Sequence, residues 1–186
     1  MILGRILKIY LTTMSKKNEP NILLDADVVR HFLNGGRIHQ LSAIFPGRFV
    51  MLDKVKNELC RSKGLATPVT NFLNMFKIPI IPFPANGDII KEYAQLTKKF
   101  GEGESACIAV ARFQNEFIAS SNLRDIKAYC IQYGITYYTT MDLLVKAMNK
   151  GILTEKECDD FITDVKAKGS KLPCNTMKEF LKMAIE

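Results

Sequence analysis

Five short apolar runs punctuate this chain, and a helical pattern follows each. The first is Ile22-Leu23-Leu24, which stops at Asp25. The others are Phe49–Leu52, Ile78–Phe83, Phe117–Ala119 and Ile135–Tyr138. Runs so short and so apolar predict strands buried on both faces, because a half-exposed strand alternates apolar with polar residues. Between them apolar residues recur every three or four positions, as in Val28, Val29, Phe32 and Leu33, or Val69, Phe72, Leu73 and Phe76. Ile89, Ile90, Tyr93, Thr97 and Phe100 repeat the pattern. That spacing lays an apolar stripe along a helix. Strand and helix alternating in this way predict an α/β fold of three layers, α/β/α, around a central parallel five-stranded sheet. Pro79 and Pro82 place the third strand at a sheet edge, since proline offers no ladder N–H.

The punctuation sets the boundaries. Residues 1–20 read as an N-terminal extension and linker, 21–153 as the α/β domain and 154–186 as a C-terminal helical extension. The opening MILGRILKIYLT is similar to a short signal segment, but Arg5 and Lys8 interrupt it and no small-x-small cleavage site follows. It reads as an extra amphipathic turn or as a start placed too early, with Met14 the true beginning. Gly35-Gly36 closes the first helix, and Pro46-Gly47 closes the short one carrying Ile38, Leu41 and Ile44. Asp53 reads as the N-cap of the helix after the second strand. Gly101 and Gly103 read as a break before the small-residue helix ESACIAVARF. Thr154 with Glu157, and Thr176 with Glu179, have the spacing of capping boxes. The amphipathic tail after Gly151 must pack on the domain, on a second copy or on a partner.

A length of 186 residues suits one domain, and a chain of that size buries about two thirds of its unfolded surface without metal or disulfide. The five cysteines are odd in number and show no CxxC spacing, which points to reduced thiols in a cytoplasmic protein. No apolar run approaches the roughly 18 residues that a membrane span needs. Lys plus Arg is 26 against 19 for Asp plus Glu, giving +7, a balance that suits a phosphate-rich partner. Lys54, Lys56, Arg61, Lys98, Lys99 and Arg112 are spread out and read mainly as solvated helix faces.

The acidic residues are placed with more purpose. In an open α/β sheet, ligands bind beyond the carboxyl ends of the strands. Asp25 and Asp27 follow the first strand, and Glu58 lies in the helix after the second. Glu102 and Glu104 open the helix before the fourth strand; Ser120, Ser121, Asn122, Arg124 and Asp125 follow that strand at once. Two carboxylates about 4 Å apart repel by on the order of 4 kcal/mol at an effective dielectric near 20. A divalent cation or a shared proton offsets that cost. Oxygen donors without His or Cys suit Mg²⁺ or Mn²⁺, and such a site suits phosphate-ester hydrolysis. Each acid also has an ordinary explanation. Asp25 and Asp27 fit N-caps, Glu58 a solvated helix partner, and Glu102, Glu104 and Asp125 helix-dipole partners. His31 and His39, the only histidines, fall in the first helical pair, away from the turn after the fourth strand, and Ser120-Ser121 lacks an evident His partner. There is no P-loop and no dinucleotide fingerprint.

Taken in order, ILLDADVV, VKNEL, FGEGESACIAVA, IASSNLRD and YYTTMDLL…GIL resemble the PIN domain, a family of small metal-dependent nucleases that often serve as the toxin of a toxin–antitoxin pair. The resemblance covers roughly residues 21–153. It implies that Asp25, Glu58 and Glu104 are the family's acids, with Glu102 an alternative to Glu104, and that the product ends are a 5′-phosphate and a 3′-hydroxyl. At the position where the family carries its fourth aspartate this chain has Asn122, and Asp125 stands one helical turn on. The resemblance implies an Mg²⁺- or Mn²⁺-dependent endoribonuclease, with Asp25, Glu104, Asn122 and Asp125 as metal ligands and Asp27, Glu102 and Arg124 as further site residues. RNA is the implied substrate, and an antitoxin protein or a second copy the implied protein partner. Asn122 keeps a rival reading open, a PIN-like domain that binds RNA or a partner without cutting. A nuclease acting on DNA is the third reading.

Overall fold

β1 (Ile22–Leu24) is the strand on which the rest is built, and all three of its side chains are buried. In the computed structural model, which describes residues 19–121 and 123–183, it lies at the middle of a five-stranded sheet. The order is β3-β2-β1-β4-β5, with every neighbouring pair parallel. β2 (Phe49–Leu52) pairs Ile22 with Phe49, while β4 (Phe117–Ala119) pairs Ile22 with Phe117 and Leu24 with Ala119. Asp25 N donates to Ala119 O at 2.9 Å, so the β1–β4 pairing runs one residue past the strand. The expected α/β fold is what the chain adopts.

Two strands are shorter than their apolar runs. β3 spans only Ile80–Ile81, because Pro79 and Pro82 flank it. β5 spans Tyr137–Tyr138. Ile135 N instead donates to Cys130 O at 2.9 Å, closing the preceding helix around Gly134, whose φ is +65°.

The helices form two groups with the sheet between them. α1 (Ala26–Asn34) and α2 (Ile38–Ile44) follow β1; α3 (Asp53–Arg61) and α4 (Ala66–Met75) follow β2. α5 (Gly87–Leu96) and α6 (Glu102–Gln114) lie between β3 and β4, and α6 packs against both α3 and α5. α7 (Leu123–Tyr133) precedes β5, and α8 (Thr140–Asn149) packs against α2. α9 (Glu155–Ala167) and α10 (Met177–Met183) form the extension.

Three local expectations need correction. Asp53 is the first residue of α3 rather than its cap, and its Oδ1 accepts from Lys54 N at 2.7 Å and Phe83 N at 3.0 Å. It therefore ties α3 to the crossover beyond β3. Gly103 does not break a helix. Gly101 is the N-cap of α6 and Gly103 sits in its first turn. Thr176 is only half of a capping box, since Glu179 N donates to its Oγ1 at 3.1 Å while Glu179 Oε2 accepts from Asn175 N. The Thr154–Glu157 box is complete, and Thr139 with Asp142 forms another at the start of α8.

The extension packs on the domain. Cys158, Phe161, Ile162 and Val165 of α9 are buried in the common core, as are Leu172, Cys174 and Met177. The Phe161 ring lies 5.0 Å from that of Phe32. Lys168 Nζ donates to Asn34 O at 2.6 Å, placing a cation on the last carbonyls of α1. The close approach requires Gly35, where a Cβ would stand 2.2 Å from the Phe161 ring. The N-terminal reading, including the start at Met14, falls on residues 1–18 and lies outside the described residues. Gly35→Ala is expected to force Phe161 off α1 and to cost about 1–3 kcal/mol, measured from urea midpoints. Phe161→Leu combined with Gly35→Ala should recover part of that loss.

Candidate functional site

The strand order fixes where a ligand can enter. From β1 the chain passes to β2 on one side of the sheet, while β4 lies on the other, so the crevice at the carboxyl ends of β1 and β4 is the topological switch point. Asp25 stands in it and is only 4% exposed. Its Oδ1 accepts from Ala26 N at 2.7 Å and its Oδ2 from Ser120 Oγ at 2.8 Å. Asp25 is thus the N-cap of α1 and a crevice residue together. Burial pushes its carboxyl up to about 7, Asp27 adds to the rise, Ser120 and Ala26 oppose it, and Glu58 adds a little more.

Asp27 and Glu58 are joined by Arg30. Its Nη1 donates to Asp27 Oδ1 at 2.9 Å and its Nη2 to Glu58 Oε1 at 3.1 Å. Glu58 Oε2 accepts from Gly103 N at 3.3 Å. A Cβ at Gly103 would lie 2.7 Å from that oxygen and 3.2 Å from Val55 Cγ2, so glycine lets the first turn of α6 meet α3. Glu104, in that turn, is buried at 8% exposure. Cys107, one turn further along α6, donates weakly to Leu24 O at 3.9 Å. Burial pushes its thiol well up, and Asp25, Glu104 and Glu58 all add to the rise. Those three carboxylates therefore lie within electrostatic reach of one thiol at the end of β1.

Glu102 points elsewhere. It is exposed and pairs with Arg61 at 3.4 Å. Asn122 and the side chains of Arg124 and Asp125 lie outside the described residues. His31 departs from expectation. It is buried, and its Nδ1 lies 2.9 Å from Thr140 Oγ1 and 3.2 Å from Ser121 Oγ. It therefore stands beside the turn after β4, and Ser121 does have a histidine neighbour. His39 is exposed and its ring lies 5.6 Å from Phe76. Two of the basic residues are more than solvated charges. Lys54 Nζ sits 4.7 Å over Tyr93 and 5.2 Å over Phe83, and Arg112 pairs with Glu92 at 2.6 Å.

For Mg²⁺ or Mn²⁺ the donor chemistry fits. Asp25, Glu58 and Glu104 offer hard oxygens, and the raised Asp25 carboxyl marks a place where a cation would relieve charge. The positions do not form a finished cage. Among the described residues, no group of three or more His, Cys, Asp or Glu side chains is arranged to hold a metal ion. Arg30 supplies the charge between Asp27 and Glu58 instead. Arg30 is marked in the sequence only by its spacing of three from Asp27 on α1. The chain matches no protein-family model and no curated protein. Among the described residues, no helix is long and apolar enough to cross a membrane.

Asp25 also sets a pH dependence. Its folded-state carboxyl is raised, so the folded chain holds the proton more tightly than the unfolded chain, whose aspartate titrates near 3.8. The stability contributed by the protonated form is fully present below about pH 4 and is lost as pH rises toward about 7. Asp25→Asn should therefore stabilise the metal-free protein at pH 8, by at most about 4 kcal/mol, with no gain near pH 4. Urea titrations of both proteins across that range check the sign.

Proposed function

We propose that this chain is a PIN-like endoribonuclease that uses Mg²⁺ or Mn²⁺ to hydrolyse RNA phosphodiester bonds. The observation that carries the reading is Asp25, buried at the carboxyl end of β1 at the switch point of the sheet and held there by Ser120 Oγ, with Glu58 of α3 fixed to the first turn of α6 that carries the buried Glu104. A cation bound there supplies Lewis-acid polarisation of a phosphoryl oxygen and a nucleophile from water at neutral pH. The chain's own residues do the positioning. Ser120 Oγ orients the Asp25 carboxylate, and Gly103 N orients Glu58. Lys54, on the helix that carries Glu58 and held over the Phe83 and Tyr93 rings, offers a cation to an approaching phosphate. The net charge of +7 favours the same class of substrate.

Arg30 favours a second reading, a domain that binds RNA or a protein partner without cutting. By pairing Asp27 and Glu58 it neutralises part of the charge that would attract a dication.

Cleavage of a labelled single-stranded RNA in Mn²⁺ separates the two. On the nuclease reading, chelator stops cleavage, and Asp25→Asn and Glu104→Gln each abolish it. Ser120→Ala should weaken Mn²⁺ binding by about ten- to a hundredfold in calorimetry, as loss of an orienting partner does. Cleavage that survives both chelator and Asp25→Asn would sink the nuclease reading. RNA binding with no Mn²⁺ uptake, in wild type and Arg30→Ala alike, would establish the second.

A further inference from the structure

The turn after β4 also opens on a cavity of about 190 Å³ that no catalytic carboxylate enters. It lies between that turn, β5, the first turn of α8 and the C-terminal extension, and it is walled by Ser121, Tyr137, Thr140, Asp142, Lys171 and Phe180. Ser121 is the residue after Ser120, so the cavity begins one residue from the hydrogen bond to Asp25.

Its polar lining is built from behind. Ser121 Oγ and Thr140 Oγ1 are hydrogen-bonded to each other, and His31 Nδ1 reaches both, at 3.2 and 2.9 Å. Burial lowers the tendency of His31 to take a proton; the nearby Asp27 raises it and Arg30 lowers it. With the ring neutral and Nδ1 accepting, one hydroxyl donates to His31 and the other donates to the first, which leaves oxygen lone pairs for a ligand. Asp142 is fixed in place, because its Oδ2 accepts from both Thr139 N and Thr139 Oγ1. Lys171 is exposed, and the Tyr137 and Phe180 rings are half-buried. The cavity thus offers aromatic faces, two hydroxyls, a carboxylate and an ammonium.

We propose that this cavity receives one base of a single-stranded RNA and prefers guanine or cytosine. The proposal rests on the reading of RNA as substrate. Single-stranded RNA is recognised by stacking unpaired bases on aromatic rings and bonding their edges. A carboxylate accepts from a base amine, and an ammonium donates to a base carbonyl. Guanine and cytosine carry both groups. Adenine lacks the carbonyl and uracil lacks the amine. A half-open cavity of this size admits one flat heterocycle. The extension, through Lys171 and Phe180, therefore contributes to base selection at the site.

The test uses labelled eight-nucleotide RNAs, each a uridine tract with a single central G, C, A or U, read by fluorescence anisotropy in EDTA so that nothing is cut. The G and C probes should bind about tenfold tighter than the A and U probes. Phe180→Ala should weaken the G and C probes at least about fivefold. Lys171→Ala, at an exposed position outside the core, should bring the ratio between probes close to one while the far-UV spectrum and melting midpoint stay unchanged. Equal binding of all four probes by the wild type, or a preference that survives both substitutions, overturns the base pocket and leaves RNA binding standing. Failure of every probe to bind the wild type overturns the pocket and the RNA reading together.

Discussion

The crevice depends on one buried carboxylate. Asp25 caps α1 through Ala26 N, is held by Ser120 Oγ, and has its backbone N–H bonded to Ala119 O on the neighbouring strand. Hydrogen bonds to a charged group contribute about 1.5–3 kcal/mol each, while leaving a buried ion without full compensation costs several kcal/mol. Here desolvation outweighs the two bonds, and the carboxyl rises instead of falling as an exposed cap would. The β1–α1 junction is therefore stable as a protonated acid and uncomfortable as an anion. A cation placed beside it would offset that charge, which links the residue that caps α1 to the proposed chemistry.

The surrounding charges answer that condition in two ways. Arg30 supplies a fixed positive group to Asp27 and Glu58, while Glu104 sits buried in the first turn of α6 near the same strand end. Gly103 lets α6 approach α3 closely enough for Glu58 to accept a backbone N–H. The acids are thus positioned by the joints between elements rather than by loops. A change in the seating of α3 on α6 would shift Glu58 relative to Glu104.

Much of this was legible from the residues. Ile22-Leu23-Leu24 ending at Asp25 announced a buried parallel strand, and the prolines around Ile80 announced an edge. The helical faces were readable because each buries one stripe, as Val55 and Leu59 do on α3. What escaped was long-range. His31 reads as a residue of the first helical pair, yet folding brings it to Thr140, 109 positions away, and to Ser121, 90 away. Arg30 looks like a local partner of Asp27, and only the packing of α1 against α3 gives it Glu58, 28 residues on. Gly103 looked like a helix breaker because local propensity says nothing of the neighbour that will lean on it. Periodicity reports which face is buried, not which polar groups meet there.

The β3 edge carries a consequence for self-association. Ile80 and Ile81 are 42% and 36% exposed, and an unprotected apolar edge of that kind invites a strand from another molecule. This one is two residues long and bracketed by Pro79 and Pro82, so an incoming chain finds too few donors to continue the ladder. The sheet is thereby protected against edge-to-edge growth on that flank, and two molecules that associate there must meet through side chains instead of a shared sheet.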